Sequence, residues 1–518
     1  MSQMLKSSGS MAAATLISRL LGMVREMVYA NFMGDTRVAG AFKLAFTIPN
    51  LFRRLLGEGA LTAAFIPIFK EKEKTHGEIE MWRAANAVIS GLVVAAAAII
   101  GVVMLGLSIA LAVHQFNENT ELMLRLLRVM FPYMLLVCLA AAFMGMLNVR
   151  GHFFIPAMSA TMLNVVMIAS VLWLAPKMGH ELREQIFALA IGVLAAGVAQ
   201  AAFQLPTLWY DGFRYQWVSP WKNETVRLVV IRMIPATLGV AAFQINVLLT
   251  QTVAFYVDPQ INASFDYAVR LMELPQGMFG ISLATFLLPT LAGLAAEKNF
   301  GEFRATLRHG LGTLLLANLI AAVLLVVLAE PIIRLLFEHG KFTAFSTQRA
   351  TLALQCLAPG LVAFSTVNIL VRAFFALGDT KTPMQISIVC LVLNLGLAVL
   401  FIGPLRQGGL GIANTITSIC NAGLLSFALR KKLGKLEMES LRATFLPLAV
   451  AGILAGLVAW SGWWSWENFL GHRTVALKIG AVFVPAGIAG LVYWLIALAC
   501  KIPAAKELAE FAFAKFKR

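Results

Sequence analysis

Residues 84–113 read AANAVISGLVVAAAAIIGVVMLGLSIALAV, with no ionisable side chain in the run. Wound as an α-helix at about 1.5 Å per residue, that run is longer than the roughly 30 Å hydrocarbon core of a bilayer. The whole chain follows suit. Of 518 residues, 59% are apolar and 13% charged, with mean hydropathy +0.80, whereas soluble domains carry about a quarter charged residues. A soluble core cannot hide so much apolar surface, so the solvent for most of the chain is lipid. Soluble enzymes, nucleic-acid-binding domains and disordered scaffolds are excluded on this ground.

Fourteen apolar segments of helical length can be marked, near 10–33, 38–69, 84–113, 122–148, 155–175, 185–209, 228–256, 263–296, 306–337, 348–377, 383–403, 409–429, 443–463 and 475–500. They predict an all-α polytopic membrane protein with fourteen spans. Arg19 and Arg25 interrupt the first run, which therefore reads as a span and not as a cleaved signal. The connecting segments alternate in charge. The N-terminus, the loops near 70–83, 149–152, 210–227, 297–308, 378–382 and 430–442, and the tail together hold 23 Lys and Arg, several times as many as the loops between them. Positive loops stay inside, so both termini are expected in the cytoplasm. The net charge of +16 is then this bias and implies no nucleic-acid partner. The tail 501–518, with Phe511, Phe513 and Phe516 among its lysines, reads as an amphipathic helix and a topological anchor. Cys138, Cys356, Cys390, Cys420 and Cys500 lie in apolar stretches without a CxxC and read as small core residues.

The chain also repeats itself. Pro132, Gly151, Pro156 and Pro176 recur as Pro359, Gly378, Pro383 and Pro404, with matching gaps of 19 and 5 residues between the first three. The offset spans six helices, so the repeats are expected to be parallel, as in transporters with two lobes around a cleft. The expected organisation is a lobe over 1–218, a second over 219–437, and a two-helix appendix with the tail over 438–518.

Charge inside the spans is the strongest functional signal. On insertion scales a central Arg costs about 2.5–3.5 kcal/mol. Arg125, Arg128, Arg232, Arg334, Arg372 and Lys478 lie near span ends and can snorkel. Arg19, Arg25, Lys43, Arg53, Arg54 and Arg270 need a polar cavity or partners. Helical spacing offers Glu58 to Arg54, and Asp266 and Glu273 to Arg270. Glu26 shares a face with Arg19, while Arg25 and Arg53 have no evident carboxylate in their own helix. The set Arg19, Arg25, Arg53 and Arg270 balances Glu26, Glu58, Asp266 and Glu273, which fits a structural network. The alternative reading is a wet cationic cavity for an anion, since guanidinium forks suit phosphate oxygens. Helix interruptions fall at the same places: Gly22 in span 1, Pro49-Asn50 and Gly57-Glu58-Gly59 in span 2, and Pro275, Gly277 and Gly280 after Arg270 in span 8, where they would form a hinge. No GxxxxGK[ST] sequence occurs, the seven histidines are scattered, and Gly408-Gly409-Leu410-Gly411 reads as a loop between two spans. Neither a cofactor, a metal site nor an integral-membrane enzyme is expected.

Ser18-Arg19-Leu20-Leu21-Gly22-Met23-Val24-Arg25-Glu26 resembles the first-helix signature of the MurJ/MviN family of bacterial lipid II flippases, in the multidrug/oligosaccharidyl-lipid/polysaccharide exporter superfamily. Pro49-Asn50-Leu51-Phe52-Arg53-Arg54 with Glu58-Gly59-Ala60, Arg270-Leu271-Met272-Glu273-Leu274-Pro275 with Gly277, His339-Gly340-Lys341-Phe342-Thr343, and Gly378-Asp379-Thr380-Lys381-Thr382-Pro383 are similar to later motifs of that family. The resemblance implies fourteen helices in two lobes, the last two forming a groove for a polyprenyl tail. It implies transport of undecaprenyl-pyrophosphate-linked peptidoglycan precursor from the inner to the outer leaflet of the bacterial inner membrane, and membrane lipids are a further expected partner. It places the family's cavity arginines on Arg19, Arg25, Arg53 and Arg270, with Asn50, Glu26 and Glu58 nearby. Two departures stand out: Gly40 and Val269 occupy positions where many members are acidic, and Asp266 could replace only the second. Ala398, one turn after Asn394, argues against sodium coupling. The alternatives are a flippase for another polyprenyl-pyrophosphate oligosaccharide, a cation-coupled multidrug exporter, which would favour acidic cavity residues, and a non-transport scaffold.

The orientation has a direct check. Single cysteines at Asn119 and Asn262, in a cysteine-free background, are expected to react with an impermeant thiol reagent from the periplasm, and one at Thr75 is not. Labelling of Thr75 in intact cells would reverse the topology.

Overall fold

The apolar runs become helices that are long, bent and tightly packed, with no strand among the described residues. The computed structural model describes residues 2–55, 62–221, 223–434 and 439–516, and it falls into two compact units, Met1–Ala263 and Ser264–Arg518. In the first unit lie α1 (Ser2–Met33), α2 (Arg37–Phe52), α3 (Thr62–Val113), α4 (Glu118–Met130), α5 (Tyr133–Val149), α6 (Phe154–Ala169), α7 (Leu182–Tyr210) and α8 (Glu224–Val257). α9 (Pro259–Pro275) begins there and ends in the second unit. That unit continues with α10 (Ser282–Ala296), α11 (Phe300–Val327), α12 (Ala329–Phe337), α13 (Ala344–Leu357), α14 (Leu361–Ala376), α15 (Lys381–Leu433), α16 (Glu439–Phe469), α17 (Val475–Ala499) and α18 (Pro503–Phe516).

All fourteen expected segments are helical over their described residues, but they are not fourteen separate rods. α3 runs past a kink at Gly77 (φ 81°) and α15 past one at Arg406 (φ 48°), so each covers parts of two segments. α4 and α5, which together cover one expected segment, bend by 42° at Phe131-Pro132. Among the described residues, nine helices are long and apolar enough to cross a membrane, or ten if that bent pair is one span. The chain is a multi-pass membrane protein.

Gly408-Gly409-Leu410-Gly411, expected as a loop, lies in α15 and is buried. A Cβ on Gly411 would stand 2.7 Å from the Cys356 Cβ and one on Gly409 2.3 Å from the Phe401 carbonyl. Here the glycines serve close backbone approach and the bend at Arg406, not a solvated turn. The α18 helix forms as expected, but Ala504 and Ala505 are buried against α11 and α17 residues, and His309 Nε2 stands 3.3 Å from Glu507 Oε2. The side chains of Phe511, Phe513 and Phe516 lie outside the described residues.

The repeated Gly and Pro positions share one local geometry. In each unit a helix (α5, α14) ends in a turn whose glycine has positive φ, 87° at Gly151 and 73° at Gly378, and the next helix (α6, α15) follows within a few residues. Each turn is pinned to a later helix end, with the signs of charge exchanged. Asp211, just past α7, approaches His152 Nε2 (3.1 Å) in the first unit, where Arg150 also bridges Glu73 and Glu78 at 2.9 Å each. In the second unit Asp379 Oδ2 accepts from Lys432 Nζ (2.7 Å) and the Thr382 hydroxyl (2.8 Å). The Lys432 hydrogen bond, then the Thr382 amide, hold the Asp379 carboxyl down to about 2, against an ordinary 3.8. A depressed carboxylate contributes its stability above the ordinary value and loses it as pH falls through the lowered one. This clamp therefore survives mild acid.

Polar residues also tie the first unit together inside its core. Gln204 Nε2 donates to the Ala140 carbonyl (3.0 Å) and to Ser159 (3.1 Å), and Tyr133 donates to Gln200 (3.3 Å). Such bonds, and small residues at helix contacts, hold helices together in lipid, where burial of apolar surface gives little. Gly197 is one of those contacts: a Cβ there would stand 2.8 Å from both the Leu136 Cβ and the Tyr133 ring. Asn262 is 1% exposed, so a cysteine there would be shielded from thiol reagents in this conformation, and Tyr256, at 66% exposed, is the accessible alternative.

Gly197→Ala should lower the thermal unfolding midpoint of the purified protein by the equivalent of about 1–3 kcal/mol, the usual range for overpacking. Gly101→Ala, where nothing lies within 4 Å, should leave it unchanged. Equal midpoints for the two would remove the close-packing account of α5 and α7.

Candidate functional site

Three of the four expected site arginines lie in the first unit. Arg25, on α1, is far from unpartnered. Its Nη2 stands 2.5 Å from Glu26 Oε1, its Nη1 donates to Asn164 Oδ1 (3.1 Å), and its Cζ lies 5.4 Å from the centroid of the Tyr29 ring. The expectation that Arg25 lacks a carboxylate in its own helix is thus corrected. Neighbours in a helix point about 100° apart, but Glu26 is only 3% exposed, and a buried carboxylate without a cation is costly. The flexible guanidinium folds back to meet it. Glu26 therefore serves Arg25, and not Arg19 as its face suggested. Arg19 is half-buried and makes no hydrogen bond or ion pair among the described residues.

Asn164, on α6, is the residue that pattern reasoning missed. Besides holding Arg25, its Nδ2 donates to the Ser18 carbonyl (3.1 Å), and it packs 3.8 Å from where a Gly22 Cβ would be. Gly22 does not break α1, which is continuous from Ser2 to Met33; it opens room for Asn164. A lone Asn in an apolar helix was the available signal.

On α2, Arg53 Nε donates to Asn50 Oδ1 (2.7 Å), one turn back, and the backbone widens into a π-helical turn at 53–55. Asn50 thus aims Arg53. Glu58, with Gly57 and Gly59, lies outside the described residues. Lys43, nine-tenths buried, donates from Nζ to the Ala263 carbonyl (3.4 Å). One turn earlier, a Cβ on Gly40 would stand 2.1 Å from the Pro259 carbonyl oxygen. The acidic side chain that the resemblance would place at 40 has no room in this packing.

Arg270 lies in the second unit, near the end of α9, with the pairs its spacing foretold. Nη1 stands 2.9 Å from Glu273 Oε2 and Nη2 3.8 Å from Asp266 Oδ1, and the arginine side chain remains 35% exposed. Immediately after it, Gln276–Ile281 form a π-helix between α9 and α10. The interruption expected at Pro275, Gly277 and Gly280 is therefore a widened turn. A Cβ on Gly280 would stand 2.6 Å from Ser365 Oγ, so alanine there would change packing as well as flexibility. Val269 is half-buried beside Arg270, and Ala398 is fully buried.

Arg334, expected to snorkel, is a further correction. It bridges Glu330, Glu467 (3.2 Å) and Glu338 (3.9 Å) at 14% side-chain exposure. Its span breaks at Leu328 into α11 and the short α12, which turns the arginine inward. Arg372, by contrast, makes no ion pair among the described residues.

The bent, apolar helices of the two units, with guanidinium groups and π turns among them, define a multi-pass membrane protein, and the family comparison makes its class a membrane transporter. A family model described as "Lipid II flippase MurJ" matches residues 29–478. The chain is 33% identical to a probable lipid II flippase MurJ of Haemophilus influenzae, over 86% of this chain and 90% of that one. It is 32% identical to a probable lipid II flippase MurJ of Vibrio cholerae, over 98% of each. It is also similar in fold to a solved lipid II flippase MurJ in an inward closed conformation (TM-score 0.77, 22% identity, covering 94% of this chain and 99% of that one). A multidrug resistance MATE family transporter in an inward-facing conformation shares the fold more distantly (TM-score 0.68, 15% identity, 83% and 99% covered). The chain belongs to the MurJ lipid II flippase family.

Arg334→Ala should lower thermal stability by about 1–3 kcal/mol, a partly exposed version of the loss that follows breaking one side of a buried pair. Arg372→Ala should stay within about 0.5 kcal/mol. The comparison is read from unfolding midpoints in detergent; the reverse order would return Arg334 to the lipid interface.

Proposed function

We propose that the chain is a lipid II flippase of the bacterial inner membrane, moving the undecaprenyl-pyrophosphate-linked headgroup from the inner to the outer leaflet by alternating access, with no covalent chemistry. The observation that carries this is the family match over residues 29–478. Both termini are cytoplasmic, and the lobes are 1–218 and 219–437, with 438–518 as the appendix along which the polyprenyl tail runs. Arg19, Arg25, Arg53 and Arg270 neutralise pyrophosphate and headgroup oxygens. Asn50 aims Arg53, Glu26 and Asn164 hold Arg25, and Asp266 and Glu273 orient Arg270. The π turn at Pro275, Gly277 and Gly280 is the hinge; Glu58 completes the supporting carboxylates. A guanidinium in a span is retained where it meets water or an anion, and Arg19, which makes no hydrogen bond or ion pair among the described residues, is the first contact for phosphate.

The charge pairing sets the test. Arg19→Ala, Arg53→Ala and Arg270→Ala should abolish complementation of a depleted strain and the arrival of lipid II in the outer leaflet, with protein still in the membrane. Lysine should rescue in part, since it keeps charge but loses the fork. Arg25→Ala should also lower protein level, because Glu26 is left buried and alone; adding Glu26→Gln should restore the level and not the flipping. Flipping by the double variant at the normal rate would make Arg25 purely structural, and normal flipping by all three single variants would end the proposal.

A further inference from the structure

Within the first unit, the connection between α7 and α8 takes no part in the function proposed above. Residues 209–221 read WYDGFRYQWVSPW, six aromatic side chains in thirteen, against 10% aromatic in the whole chain. α7 ends at Tyr210, and from 213 to 220 the backbone is neither helix nor turn. Phe213 turns inward and is buried between Trp82 (ring centroids 5.5 Å apart) and Phe143 (6.2 Å). The other five, Trp209, Tyr210, Tyr215, Trp217 and Trp221, are 49–89% exposed. Trp209 also continues the α7 stripe of Ile191 and Val198, both exposed apolar residues at helical spacing.

This segment is laid along the start of the uncharged run of α3. Asn86 Nδ2 donates to the Arg214 carbonyl (3.0 Å). The Val218 amide donates to Ser90 Oγ (3.4 Å), which also lies 3.2 Å from the Tyr215 hydroxyl. Pro220 stands against Gly91, 3.4 Å from where its Cβ would be. Arg214 Nη1 donates to the Trp209 and Phe213 carbonyls (2.8 and 2.7 Å). Extended backbone carries amides and carbonyls that lipid cannot satisfy, and here side chains serve several of them. The depth follows from length. Residues 84–113, at about 1.5 Å each, span about 45 Å, which matches a hydrocarbon core of about 30 Å plus both headgroup layers. About five residues at each end therefore lie in a headgroup layer, and the stretch from Asn86 to Gly91 straddles its inner boundary. Arg227 and Arg232, exposed near the start of α8, bring cations to this level, because the adjoining Val226 packs 3.3 Å from the same Gly91 position.

We infer that residues 209–221 form an interfacial strap, with the Trp209, Tyr210, Trp217 and Trp221 rings seated among phospholipid headgroups at the edge of the hydrocarbon layer. The partner of this surface is the bilayer itself. In water, four large rings would stand exposed, and the backbone groups tied to Asn86, Ser90 and Arg214 would have solvent partners without those ties. At the boundary both features have a use. Indole and phenol rings favour it because their bodies are apolar while their N–H and O–H groups need wet partners. Arg227 and Arg232 reach phosphate oxygens from the same layer. The chain leaving α7 is thus held flat on the membrane, and α7 and α8 share one fixed height in the bilayer. This holds for either orientation of the chain and for any transported headgroup.

The test uses the full-length protein in nanodiscs of phosphatidylethanolamine and phosphatidylglycerol, with its native cysteines replaced and one nitroxide label at Ser219, Ile79 or Leu105, all exposed. Power saturation compares oxygen, which concentrates in lipid, with a neutral nickel chelate, which stays in water. Ile79, before the uncharged run, should read as aqueous and Leu105, deep within it, as hydrocarbon. Ser219 should fall between them, with nickel accessibility several-fold below that of Ile79 and oxygen accessibility several-fold above it. Trp217→Ser with Trp221→Ser should raise nickel accessibility at Ser219 at least two-fold. A Ser219 label as open to nickel as Ile79 would place the strap in water, and one closed to both reagents would place it under protein; either result overturns the inference. So does a double variant with an unchanged profile. If that variant does not reach the membrane, Trp217→Ser alone is read in the same way.

Discussion

A carboxylate sealed inside a membrane protein must have a cation, and Glu26 has Arg25. That single requirement organises the first unit around α1. It bends the guanidinium back along its own helix, brings Asn164 of α6 against the opening left by Gly22, and ties the Ser18 carbonyl to the same amide. Lipid supplies no competing water, so each of these bonds has only protein partners to choose from. The same constraint explains the cross-helix polar ties of Gln204, Ser159 and Tyr133. They give the first unit a specificity that apolar contact in an apolar solvent cannot.

The second unit meets the constraint differently. Arg270 stays partly exposed with carboxylates one turn before and after it, and the backbone beyond widens into a π-helix against Ser365. Arg25 has spent part of its hydrogen-bonding capacity on internal partners, while Arg19 has none among the described residues. Four arginines that look alike in a sequence thus differ in the internal partners they hold among the described residues.

The fold was legible because span length and loop charge are set by the bilayer, a constraint indifferent to detail. The repeat of Gly151 and Gly378 was legible because positive φ leaves little choice of residue. Pairs at helical spacing, Asp266 and Glu273 with Arg270, could be read for the same reason. Partners brought together by tertiary packing could not. Nothing near Arg25 in the sequence points to Asn164, 139 residues on, and nothing near Arg334 points to Glu467. The glycines at 408–411 misled because the same residue serves turns and close helix contacts. Snorkelling was expected of Arg334 from its position in a span, and the break at Leu328 that turns it inward leaves no local mark.

Gly40 carries a consequence for descent. Its absent side chain lets α2 pass against the Pro259 carbonyl, with Lys43 reaching the Ala263 carbonyl one turn on. A larger residue at 40 would first have to find the 259 backbone moved aside, and a moved 259 backbone would leave a void that glycine cannot fill. Neither change is tolerated well before the other. Positions 40 and 259 should therefore pass through history as a linked pair: lineages with an acidic residue in this helix should differ at the start of α9 as well, and hybrids that exchange one segment without the other should fail at this contact, however sound each parent is.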